Sequence, residues 1–177
     1  MTEPNNQNRE RIVHDFAKWT ALSALRSGSP IKAGKHVYGL LDNHADLARL
    51  FTCGTPIDGT EFDNWHEETV LEFCKAEPML SVGWAAKIIN VYLKTRAYLA
   101  GEGRVGLERA IHPPIDTSLQ AGLKKKFPLR PWRKMTITGI QSYKDDYMPF
   151  IEECRLLAQE EGCLLIEVEW YWQQAGR

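Results

Sequence analysis

The segment from Trp84 to Ala100 constrains this chain more than any other. Trp84, Ala85, Ala86, Ile88, Ile89, Val91, Tyr92, Leu93, Ala97, Tyr98 and Leu99 distribute nearly all round a helix. A helix that is apolar on most faces belongs inside a core. It is too short and too often interrupted by polar residues to span a bilayer, which takes about 20 mostly apolar residues. At about 100° per residue, Lys87, Asn90 and Lys94 fall on one narrow stripe of this helix. Two lysines and an asparagine in one line on a core helix either snorkel to the surface or face a pocket.

Around that helix the chain reads as all-α. Residues 1–9 are polar and are expected to form a disordered tail, with residues 10–177 as a single helical domain. Ile12, Val13, Phe16, Trp19, Leu22 and Leu25 recur at helical spacing and predict an inward face on a helix over Arg11–Arg26, stopped by Ser27-Gly28-Ser29-Pro30. Val37–Leu41 and Ala45–Phe51 predict short helices split near Asp42-Asn43. Cys53–Gly59 reads as a loop. Asp63 or Asn64 is the expected cap of a helix running to about Ala76, with Trp65, Val70, Leu71 and Phe73 inward. Ser81 is the expected N-cap of the central helix. A short element follows around Val105–Ala110. Asp116 stands just before a helix over Thr117–Lys126, which Pro128 closes; Pro131 and Trp132 lie in a loop. Ser142–Glu160 predicts a helix bent at Pro149 and ended by Gly162. The last segment, CLLIEVEWYW, alternates like a strand, but no second strand is evident for it to pair with, which favours helix in its tertiary setting. The sum is seven to nine helices.

A length of 177 residues and a hydrophobic content of 44% suffice for one core. The polar N-terminus lacks the apolar stretch of a secretion signal, and Cys53, Cys74, Cys154 and Cys163 form no CxxC pair. Reduced thiols in a cytoplasmic protein are the expectation, with no membrane partner. The net charge of −1 hides an asymmetry. Between Asp116 and Asp145 there is no acid, while Lys124, Lys125, Lys126, Arg130, Arg133, Lys134 and Lys144 all fall there. Such a segment is either a solvated basic turn or one face for a polyanion.

His14, His36, His44, His66 and His112 show no i, i+4 pairing, and His66-Glu67-Glu68-Thr69-Val70 lacks the second histidine of a zinc helix, so no metal is expected. No GxSxG elbow and no phosphate-binding glycine loop is present. The strongest constellation is Lys87, Lys94 and Asp116. Burial or a nearby cation leaves a lysine amine neutral and nucleophilic. Asp116 follows two prolines that fix its approach, and a carboxylate there can stabilise a developing cation or take a proton. Asp before Thr-Ser-Leu is also an ordinary helix cap.

AAKIINVYLK followed by the Pro-Pro-Ile-Asp corner resembles the helix-hairpin-helix superfamily of DNA glycosylases, and most closely the archaeal oxidised-guanine glycosylases. Lys87, Lys94 and Asp116 match, in order, the catalytic lysine, second lysine and catalytic aspartate of that family. CLLIEVEWYW is similar to the terminal segment that touches the flipped base there, with Glu167 or Glu169 as the acid and Tyr171 or Trp172 as the aromatic. The resemblance covers about residues 78–172, and the hairpin glycines are reduced to Ser81-Val82-Gly83.

It implies an all-α glycosylase fold and a monomer, without cofactor, acting on double-stranded DNA with one base flipped out. Lys87 and Asp116 would be catalytic. Lys94, Asn90, Trp84 and the C-terminal acid and aromatic would contact the base. Ser81, Gly83, Lys124, Lys125, Lys126, Arg130, Arg133 and Lys134 would contact the DNA backbone. Repair and excision of modified bases from phage DNA both suit such an enzyme. A non-catalytic DNA-binding or lesion-sensing module, and a toxin or defence-type interaction protein, stay open beside it.

Overall fold

A computed structural model describes residues 4–25, 28–52 and 54–176. It is all-helical, with no strand among these residues. The order is α1 (Pro4–Ser23), α2 (Gly34–Asn43), α3 (Ala48–Phe51), α4 (Gly59–Ala76), α5 (Val82–Leu93), α6 (Leu107–Ala110), α7 (Thr117–Lys126) and α8 (Met148–Glu161). The α5 helix continues as a π-helical stretch over Lys94–Leu99, and a π turn over Tyr143–Tyr147 leads into α8. The chain closes in a 3₁₀ helix over Leu165–Gly176.

Every residue of α5 is buried, as its all-round apolar pattern requires. It lies between α1 and α4, while the terminal 3₁₀ helix packs on α7 and α8. The Ser81 hydroxyl accepts the Trp84 N–H at 3.4 Å and caps α5 as expected. No helix among the described residues is long and apolar enough to cross a membrane.

Several sequence expectations shift. Helix α1 takes in residues 4–9 assigned above to a tail; residues 1–3 lie outside the described part, as do Arg26, Ser27 and Cys53. Its buried contacts come from Ala17 and Ala21, whereas Ile12, Phe16 and Trp19 are exposed. The small alanines let α1 approach α5 closely, and the large side chains are left outside.

The cap of α4 is Asp58, which accepts the Glu61 N–H at 2.8 Å. Asp63 is taken by Arg155 at 2.6 Å and His112 at 2.9 Å, and Leu71 faces outward. The terminal segment is helical because it has no neighbouring strand to complete its backbone hydrogen bonds.

Candidate active site

Lys87 projects from the middle of α5 and is only 7% exposed at its side chain. Its Nζ stands 3.5 Å from Oδ2 of Asp116 and 5.7 Å from the centre of the Trp84 ring. Asp116 divides its two oxygens. Oδ1 accepts the Leu119 N–H at 2.8 Å and caps α7, while Oδ2 faces the amine. The cap therefore leaves Oδ2 facing the amine.

The pair opens into a cavity of about 1050 Å³. Lys94 and Tyr98 line it from the helix that carries Lys87, and Glu167, Glu169, Trp170, Tyr171 and Trp172 line it from the terminal 3₁₀ helix. Two further walls come from α1, where Phe16 and Trp19 stack at 5.5 Å, each 54% exposed. Neither was expected here, because an aromatic pair at helical spacing reads as core. The alanines at 17 and 21 are the sequence signal that another face of α1 does the packing.

The two terminal acids have different partners. Glu169 pairs with Lys94 at 2.8 Å. Glu167 accepts the Leu164 N–H at 2.7 Å and the Tyr98 O–H at 2.8 Å. These hydrogen bonds, the backbone one foremost, hold the Glu167 carboxyl below its usual range. Glu169 is thus the acid set beside the second lysine, and Glu167 ties down the start of the terminal helix. Tyr171 donates to Glu161 at 3.0 Å, and burial and that carboxylate push its phenol up to about 12.

Four expected contacts do not reach this cavity. Asn90 is fully buried and bonded to His66, Tyr147 and the Pro113 carbonyl. Trp84 is buried with its Nε1 donating to Thr138 at 3.1 Å. Ser81 donates to the Ile137 carbonyl at 3.0 Å, and the Gly83 N–H to the Ile140 carbonyl at 3.1 Å. A Cβ at Gly83 would stand 2.2 Å from the Ile137 oxygen. The start of α5 is therefore sealed by the 137–140 turn, and its N–H groups are spent on protein rather than offered to phosphate.

Of the basic residues, Lys124, Lys125, Lys126 and Lys134 are exposed. Arg130 is engaged by Glu153 and Glu160, and Arg133 donates to the Asp145 carbonyl at 2.6 Å. The lysine run sits at the far end of the helix that Asp116 caps, about 15 Å away at 1.5 Å per residue. Phe127, just past it, meets the cavity-lining Tyr171 edge-on at 5.0 Å. Among the described residues no group of three or more His, Cys, Asp or Glu side chains is placed to hold a metal. Cys74, Cys154 and Cys163 are free thiols.

No known protein family, curated protein or solved structure matches the chain.

Proposed function

We propose that this protein is a lysine-dependent DNA glycosylase that excises a damaged or modified base from duplex DNA. The observation that carries it is the buried Lys87 amine 3.5 Å from an Asp116 oxygen on the wall of an aromatic-lined cavity. The cavity has room for a nucleotide swung out of the stack. Asp116 takes a proton from Lys87, and the neutral amine attacks C1′. The C1′–N bond breaks, its electron pair leaves with the base, the base takes up the proton held by Asp116, and the carboxylate so restored stabilises the positive charge on the sugar and amine. The amine then passes its second proton to O4′ as the C1′–O4′ bond breaks, which opens the sugar ring to a hydroxyl and gives a protonated Schiff base. Water then hydrolyses it, or β-elimination cleaves the strand. Lys94 and Glu169 offer a donor and an acceptor to the edge of the base, and Trp19, Tyr171 and Trp172 offer faces to stack on.

Borohydride reduction of the Schiff base tests this. A panel of duplexes carrying oxidised and otherwise modified bases is incubated with the protein and the reductant. The expected result is a covalent protein–DNA adduct with at least one substrate, lost in Lys87→Gln while DNA affinity and thermal unfolding stay near wild type. Adduct formation by Lys87→Gln at the wild-type rate rules out Lys87 as the nucleophile. The same panel, including bases found in modified phage genomes, separates a repair role from a defence role.

A further inference from the structure

Asn90 lies on the lysine stripe yet faces away from the cavity, into a buried polar network. Its Oδ1 is 2.8 Å from His66 Nε2, and its Nδ2 donates to the Tyr147 hydroxyl at 2.8 Å and to the Pro113 carbonyl at 3.2 Å. The Tyr147 hydroxyl lies 3.1 Å from His112 Nδ1, and His112 Nε2 lies 2.9 Å from Asp63. His66 Nδ1 is 2.8 Å from the Tyr143 hydroxyl. With both imidazoles neutral, one set of proton directions runs through the network, and Arg155, 3.1 Å from His112 Nε2, directs its N–H groups to Asp63 and Glu152 instead. Tyr143 donates to His66, His66 to Asn90, Asn90 to Tyr147, Tyr147 to His112, and His112 to Asp63. Asn90 spends both amide hydrogens, one in this chain and one on Pro113.

That second hydrogen bond lands between two side-chain anchors, His112 on Tyr147 and Asp63, and Asp116 on the Leu119 N–H. Pro113 and Pro114 have no N–H, so the His112–Asp116 corner cannot be held through those amides. The buried Pro113 carbonyl still needs a donor. Asn90 supplies it from the helix that carries Lys87, one turn along from that lysine, and three residues before Asp116.

We propose that Asn90 is the positioning residue of this site: by tying the Pro113 carbonyl to the lysine-bearing helix, it sets the distance between the Asp116 carboxylate and the Lys87 amine. Its effect on rate rests on the glycosylase reading; the spacing itself is a property of the free protein.

The test reads both. Lysines are reductively methylated with ¹³C-formaldehyde, and the Lys87 resonance, assigned by its loss in Lys87→Arg, is titrated by NMR. Asp116→Asn removes the neighbouring carboxylate and lowers the pH at which Lys87 loses its proton. Asn90→Ser is expected to shift that titration in the same direction, and adding Asp116→Asn to it to produce less than the sum of the two shifts. Tyr143→Phe removes the hydroxyl at the other end of the network, which touches neither Asn90 nor the His112–Asp116 corner. It is expected to cost stability and leave the Lys87 titration in place.

Single-turnover base release by Asn90→Ser should fall about tenfold to a hundredfold with DNA affinity unchanged, as expected for a small misplacement of a reacting group. If Asn90→Ser does not fold, Asn90→Leu, of about the same size and without a charge, takes its place. A wild-type Lys87 titration in the Asn90 variant, or shifts that simply add, overturns the proposal. Failure of the wild-type protein to release any base overturns the glycosylase reading instead, and the titration still decides the role of Asn90.

Discussion

Asp116 gives one oxygen to a backbone N–H and the other to an amine, so two substitutions separate its tasks. Asparagine caps a helix about as well as aspartate but carries no charge. Asp116→Asn is therefore expected to keep the cap, to lower the melting temperature only by what the lost pairing with Lys87 contributes, and to lose about a hundredfold to a thousandfold in base release. Asp116→Ala should lose at least as much rate and, in addition, about 1 kcal/mol of stability through the missing cap. A denaturant melt and a single-turnover assay on both variants check this.

The buried histidines carry a second residue-scale expectation. Burial lowers the pKa of His66 well below 6.5. It also lowers that of His112, although the Asp63 carboxylate pulls the other way. In the unfolded chain both titrate near 6.5, so below that pH the unfolded state binds protons that the folded state does not. Stability is then present in full above about pH 6.5 and falls with decreasing pH, by up to about 1.4 kcal/mol per pH unit for each histidine. Urea midpoints from pH 7.5 to 5 should fall with that sign, and a flat profile would mean that the two rings take up protons within the fold.

At the level of elements, what the sequence made legible followed from local chemistry. The all-round apolar helix, its Ser81 cap, the Asp116 cap and the Lys87–Lys94 stripe each depend on residues within a few positions of one another. What it hid depended on partners far along the chain. Asn90 shares a stripe with the lysines, but His66 and Tyr147 turn it into the core. Asp63 resembles a cap until Arg155 and His112 claim it. Phe16 and Trp19 look like core until the alanines beside them prove to be the packing face. Ser81 and Gly83 resemble a hairpin end open to phosphate, and only the 137–140 turn shows it closed.

That closure can be tested directly. A Cβ at Gly83 would meet the Ile137 carbonyl oxygen at 2.2 Å and the Ile140 Cβ at 3.0 Å. Backbone cannot move aside as a flexible side chain can. Gly83→Ala should therefore lower the urea midpoint by an amount worth about 1–3 kcal/mol, the usual range for overpacking. A variant as stable as wild type would show that the turn swings away and leaves the helix start free.

For the whole molecule, the charge that matters is local. The net charge of −1 gives no general attraction to DNA, so a binding face must come from basic side chains that protein carboxylates have not already neutralised. Arg130 fails that condition, since Glu153 and Glu160 both pair with it. Lys124 and Lys125 meet it, being exposed at the end of α7 opposite the Asp116 cap. Phosphate contacts release counterions and contribute about 0.9 each to the slope of log affinity against log salt. The double variant Lys124→Glu/Lys125→Glu should thus weaken binding to every duplex alike and reduce the magnitude of the slope by about 2, if both lysines touch phosphate. Arg130→Glu should leave the slope near its wild-type value and reduce stability instead, because it sets a third carboxylate beside two others. Equal slopes for wild type and the double lysine variant would move the DNA track away from α7, to a face where the cavity mouth is bordered by α1.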